Sequence, residues 1–382
     1  MTRTHGIGNQ VVLVLLVGGV VALAPLVRAV LPERFLLDDG HLQLAMDPAT
    51  AHLTDSSFTG AGTVYDLLGV DGSAPLASLL NLALFAVCVL AALGWDRIRD
   101  ARAWELCVVA VALMIGLVYL GQFSKELLTL GMGALVVLGP RGRVGDLAIL
   151  LGCVAYGAAV RPYWLIIAAL FVLWRLVLAR TRSPWALIGV PVLVYAALQP
   201  AFAVALGGGL QSARESVNSV RVDSDSVASL IVSPLPDAAG PLGVLAALVM
   251  LVLMAVPVPL LVSLSPYHMA SGAVILAFWV LVVAPVVRGR VVMRREAAAP
   301  RGRIVALRAA SLLLAFLLVQ ALFEPDYGSA LKHLAPLLPL VLALLPSARR
   351  YAGADTADAP DRADPTSAPA AAIAPRTEGT PA

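Results

Sequence analysis

Short groups of ionisable residues carry most of the chemistry this chain offers: Asp38-Asp39-Gly40-His41, Lys125-Glu126, Arg161 followed by Pro162, Tyr163 and Trp164, and Glu324, Asp326, Lys332 and His333. Arg214, Glu215 and Arg221 add to them from a stretch between two apolar runs. Histidine and carboxylates can move protons, and arginine and lysine can hold anions. Taken singly, each is most simply a solvated loop charge or a cation anchored at a helix end. Adjacent acids followed by glycine, as in Asp38-Asp39-Gly40, most simply make a solvated turn. The group matters more than its members, because ionisable residues set beside membrane segments are costly and clusters of them mark sites.

The elements that must position these residues are apolar. Of 382 residues 60% are hydrophobic and only 13% charged, and the mean hydropathy is +0.88. A soluble domain, near a quarter charged, could not hide that much apolar surface. The formal net charge of +3 is small and no basic patch interleaves with aromatics, so no nucleic-acid partner is expected. Cys88, Cys107 and Cys153 all lie in apolar runs without metal-ligand spacing, which implies neither a metal centre nor a disulfide framework. P-loop, dinucleotide-binding and His-Glu-x-x-His patterns are missing from the sequence, so no cofactor is expected and the energy for any reaction must arrive in the substrate.

The first apolar run, 11–31, is too long for a signal peptide and long enough to be a retained helix. Further runs cover 75–95, 104–121, 126–139, 147–160, 162–178, 185–206, 242–262, 270–287, 304–323 and 334–346. The runs 126–139 and 147–160 are short and predict an irregular interior. Lysine and arginine collect at Arg3, Asp96 to Arg102, Pro140 to Arg143, Arg180 to Pro184, Arg288 to Arg308 and Arg349-Arg350, which places those segments in the cytoplasm. For the stretch after Val287 to lie there, only one net crossing fits between Leu242 and Val287. The expected fold is therefore an all-α polytopic transmembrane helical bundle over residues 1–346, with about ten crossings and both ends cytoplasmic. Its outer loops are 32–74, 207–241 and 324–333, and 347–382 reads as a disordered cytoplasmic tail. By the same count all the residues named at the outset face outward.

Those residues also carry a resemblance. Asp38-Asp39-Gly40-His41 after the first helix, Phe123-Ser124-Lys125-Glu126, Arg161-Pro162-Tyr163-Trp164, and Phe323-Glu324-Pro325-Asp326-Tyr327-Gly328-Ser329 with His333 resemble Wzy-type O-antigen and capsular polysaccharide polymerases of the bacterial inner membrane. The resemblance implies transfer of glycan repeat units carried on undecaprenyl diphosphate, at the outer face, with the lipid-linked oligosaccharide and the bilayer as partners alongside other polysaccharide-assembly proteins. It implies a diphosphate clamp drawn from Arg161, Arg214, Arg221 and Lys125, with Glu126 and Tyr163 beside them, and a base or acid among His333, Glu324, Asp326, Asp38 and Asp39. A second reading is a GT-C class glycosyltransferase using a lipid-phosphosugar donor, in which Asp38 or Asp39 acts as base or holds a divalent cation. A precursor transporter ranks last, since no inverted repeat is visible and the charges gather outside instead of at the midplane.

Overall fold

The computed structural model describes residues 5–181, 183–207, 209–222, 229–236, 238–291 and 301–349. The tail expected to be disordered lies outside the described residues beyond Arg349, as does 292–300 of the basic stretch. Among the described residues the secondary structure is helical, with no strand and one isolated bridge between Leu230 and Asp326. The helices used below are α1 (His5–Leu23), α2 (Leu37–Met46), α3 (Ser56–Leu67), α4 (Ala74–Leu93), α5 (Ala103–Leu120), α6 (Glu126–Leu138) and α7 (Arg143–Ala159). They continue as α8 (Tyr163–Arg180), α9 (Ala186–Leu206), α10 (Leu210–Val222), α11 (Gly240–Ala255), α12 (Pro266–Val287), α13 (Arg301–Phe323) and α14 (Tyr327–Leu334).

Seven of the described helices are long and apolar enough to cross a membrane: α1 with its extension to Leu26, α4, α5, α8, α9, α12 and α13. Helices α6 and α11 are apolar but shorter. Large apolar side chains such as Leu15, Leu193 and Val252 stand exposed on the sides of these helices, and Leu151 does so on α7. Exposed apolar side chains in such number are suited to an apolar surrounding.

The chain's loops fall at two ends of the bundle. Helix α4, about 30 Å long at 1.5 Å per residue, starts beside the 121–125 segment and ends before Arg97–Asp100. At that second end Asn9 of α1 donates to the carbonyls of Ile98, Arg99 and Ala101, and Arg97 reaches the Ala348 carbonyl. Both ends of α11 lie near the first end: Gly243 is next to Gln199, which accepts the Leu210 N–H, and the Leu253 carbonyl accepts from the Tyr327 hydroxyl. The run 242–262 breaks at Val256-Pro257, where φ and ψ leave the helical region. The run 334–346 is not one regular helix either. Pro336 and Pro339 divide it into a 3₁₀ turn, Ala335–Leu337, and a short helix, Leu338–Leu342, all buried.

Helix α13 is the axis of the bundle, with every residue from Ile304 to Leu322 buried against α6, α8, α10, α11 and α12. Its buried stretch tolerates one arginine, Arg308, because that side chain is fully engaged. Arg308 donates to Asp146 at 2.7 Å and to the carbonyls of Pro140 at 2.8 Å and Gly142 at 2.7 Å. Arg175 of α8 takes the other Asp146 oxygen at 2.5 Å, so one carboxylate locks three helices together. Two glycines make the approach feasible: Gly142 adopts φ +69° at the start of α7, and a Cβ on Gly145 would collide with Pro140 O and the Arg308 guanidinium.

Candidate functional site

The site begins with a buried break in the helical ladder. Between α5 and α6 the residues Gln122, Phe123 and Ser124 are non-helical and buried, so their backbone groups need partners that water cannot supply. Side chains supply them. Ser78 donates to Gly121 O at 2.7 Å, and Asn81 donates to Leu120 O at 3.1 Å and Gln122 O at 2.8 Å. The Tyr65 hydroxyl donates to Ser124 O at 2.9 Å, and Asp39 Oδ1 accepts the Phe123 N–H at 3.2 Å. Gln122 closes the set by donating to Phe35 O at 2.8 Å. Lys125 and Glu126 follow directly, aimed by a segment that is fixed and not a loose loop.

Glu126, with no exposed surface, is the hub. Arg161 donates to its two oxygens at 2.5 and 3.3 Å, and Thr129 donates to it at 3.0 Å. Arg161 lies in the break between α7 and α8, where Pro162 starts the second helix, and its guanidinium also meets the Tyr163 hydroxyl at 3.1 Å. Burial alone would lower the guanidinium pKa, but the Glu126 carboxylate more than reverses this and raises it well above the ordinary value. His333 also approaches Glu126, Nε2 to Oε1 at 3.5 Å, and His333 Nδ1 lies 2.7 Å from Glu324 Oε2. The other Glu324 oxygen is buried with no hydrogen-bond partner among the described residues.

Helices α2 and α3 cover this centre. They pack on each other and on Phe123 and Leu127 through Leu42, Phe58, Ala61 and Tyr65. The outer segment expected as an acidic loop with a turn at Asp38-Asp39-Gly40 is helical here instead: both acids sit in the first turn of α2, where carboxylates suit the exposed N–H groups, and both are buried. Asp38 Oδ2 lies 2.7 Å from Lys332 Nζ. Burial would raise the Asp38 pKa, but Lys332 and Lys125 outweigh it and hold the carboxyl below the usual range. Stability from that pair is therefore present above about pH 3.9, the unfolded aspartate value, and is lost only as pH falls further. Lys125 lies over the Phe58 ring at 4.0 Å. Its pKa is lowered, chiefly by burial and only partly restored by Asp38.

The remaining candidates hold the frame. Arg214, buried, donates to the carbonyls of Ala321, Ile231 and Glu324 at 2.9, 2.7 and 3.1 Å, closing the last turn of α13. Asp326 caps α14, accepting from Ser329 N at 2.8 Å and Ser329 Oγ at 2.9 Å. Arg221 belongs to the last turn of α10, but its side chain lies outside the described residues. The cap is testable: asparagine caps as well as aspartate, so Asp326→Asn should leave the thermal midpoint and any activity near native, while Asp326→Ala should cost about 1 kcal/mol. An inactive but stable Asp326→Asn protein would show that the carboxylate acts in chemistry.

Sequence reasoning missed Ser78, Asn81 and Tyr65. The signal for two of them is present, since Ser78 and Asn81 are polar residues three apart, hence on one face, inside an otherwise apolar run. Comparison of the chain with family models, with curated proteins and with solved structures finds no match.

Proposed function

We propose that this chain is an inner-membrane enzyme of surface-polysaccharide biosynthesis that transfers or polymerises glycan repeat units carried on undecaprenyl diphosphate at the outer face. One observation carries the reading: Glu324–His333, Glu126–Arg161 and two lysines, drawn from distant parts of an apolar chain, meet at one end of the bundle. The Arg301 to Arg308 segment lies at the other end, as the positive-inside rule asks of the cytoplasmic side. With α11 beginning and ending near the site end, α12 supplies the net crossing between Leu242 and Val287.

In this reading His333, oriented by Glu324, takes the proton from the acceptor sugar hydroxyl as its oxygen attacks the anomeric carbon. The bond from that carbon to the lipid diphosphate breaks, and the diphosphate leaves with little need of an acid. Arg161 acts through Glu126, its fork already filled, and Lys125 meets the diphosphate as a point charge.

Burial of Asp38 and Asp39 at the same centre favours, as a second reading, a GT-C class glycosyltransferase with a lipid-phosphosugar donor. The glycan profile of a deletion strain separates the two. Loss of long chains with single repeat units retained is the result expected. Loss of one sugar from every chain would replace the polymerase with the monomer transferase, and unaltered glycans would remove both.

A further inference from the structure

The pair of Asp38 and Lys332 stabilises the fold, but it leaves Lys125 beside it without a role of its own. Asp38 comes from α2, Lys332 from α14 and Lys125 from the break before α6. Asp38 Oδ2 contacts Lys332 at 2.7 Å, while Lys125 has no carboxylate within 4 Å among the described residues and rests its ammonium on the Phe58 ring. The Lys332 side chain is 25% exposed and that of Asp38 is 7% exposed, so the pair is approachable from the lysine side. Glu126 also faces Asp38, and its repulsion opposes the hold of the lysines on that carboxylate. Lys332 holds the Asp38 oxyanion directly and Lys125 strengthens that hold from further off, and two compact ammonium charges are a donor set that a phosphate group takes.

We infer that Lys332 and Lys125 form a seat for a phosphate or diphosphate group, and that the Asp38 carboxylate occupies this seat as a tethered competitor that the incoming anion must displace. The inference rests on the proposed reading for what carries the phosphate, and on geometry alone for the seat. Displacing Asp38 leaves the cover held by the Asp39 contact to Phe123 N–H and the Tyr65 contact to Ser124 O, so the seat can open at the Asp38 side chain alone. Asp38 thereby keeps the seat closed to weak anions such as chloride, and it prevents two partly buried ammonium groups from facing each other uncompensated. A competitor that fills the seat nine times in ten lowers apparent affinity about tenfold, and its removal returns that factor.

The sign of the aspartate variant makes the test sharp. Calorimetry with inorganic pyrophosphate on the purified protein in neutral detergent should show Asp38→Asn binding about tenfold more tightly than native protein. Lys332→Met and Lys125→Met should each lose binding. A second arm uses phosphatidylcholine nanodiscs with and without polyprenyl phosphate, so that binding in this arm alone identifies a lipid headgroup as the anion's source and binding of pyrophosphate alone identifies a free anion. Should Asp38→Asn fold poorly, pyrophosphate should raise its melting temperature by more than it raises that of native protein, and Lys332→Met provides the same test in a chain that keeps Asp38. Native-like affinity in Asp38→Asn or in Lys332→Met overturns the seat. Pyrophosphate binding as expected, together with unaltered glycans in a deletion strain, would keep the seat and remove the polymerase.

Discussion

Arg161→Ala is expected to destabilise the protein by about 3–5 kcal/mol, more than any other single change at the site, because it leaves the Glu126 carboxylate buried and uncompensated. The cost comes from the stranded charge and not from the lost attraction alone, so it should be reversed from the other side. Arg161→Ala combined with Glu126→Gln removes both charges and keeps an amide that Thr129 can still meet, and it should recover most of the loss. Arg161→Lys should fall between, since an ammonium cannot match the two-pronged contact with both Glu126 oxygens. Unfolding in detergent, followed by loss of near-ultraviolet signal, measures all four proteins. A double variant as unstable as the single one would mean that the guanidinium acts through something other than Glu126.

The second large effect concerns rate. If His333 takes the acceptor proton, His333→Ala should lower chain extension roughly 10²- to 10⁴-fold, the range that a positioned base contributes. Glu324→Gln should lower it too, since an amide 2.7 Å from Nδ1 can no longer favour the imidazolium that forms during the transfer. The thermal midpoint of Glu324→Gln should change little, because Gln retains the hydrogen bond. The assay uses lipid-linked repeat units in vitro, with and without EDTA, and includes Asp39→Asn. Retained activity in His333→Ala, with an inactive Asp39→Asn and arrest by EDTA, would transfer the chemistry to the α2 acids and to the GT-C class.

Much of the frame was legible because a run of about twenty apolar residues has few other uses. Helices α4, α5, α8, α12 and α13 start and end within a few residues of their runs. The apolar run 147–160 is shorter than helix α7, whose first turn holds Arg143 and Asp146; the helix can begin there because Asp146 is neutralised by Arg175 and Arg308, which come from 29 and 162 residues away in sequence. Distance in sequence also hid the support for the break at 121–125: Tyr65 reaches Ser124 across 59 residues. The polar residues of the acidic segment after α1 suggest a loop. What makes it helical is local: Asp55 caps α3 by accepting from Ser57 N and Phe58 N, and the acids of α2 stand where the helix dipole favours them. The gathering of Lys125, Glu126, Arg161, Glu324 and His333 could be guessed as a shared side, but the hub position of Glu126 depends on interatomic distances that no spacing encodes.

The enclosure of α13 bears on how the molecule is made. Synthesis runs from the N-terminus, so α6, α8, α10, α11 and α12, which surround it, have all been made before residue 301 leaves the ribosome. Until then they must wait around an unfilled axis, held by contacts that do not pass through it, such as those between α7 and α8 and between α9 and α11. Helix α13 therefore enters after these five neighbours, the short helix Leu338–Leu342 packs on it afterwards, and its apolar length serves membrane insertion before it serves packing. A nascent chain stalled before Arg301 would hold most of its helices yet lack its core, and quality-control proteases should find it more readily than a chain stalled just after Arg349.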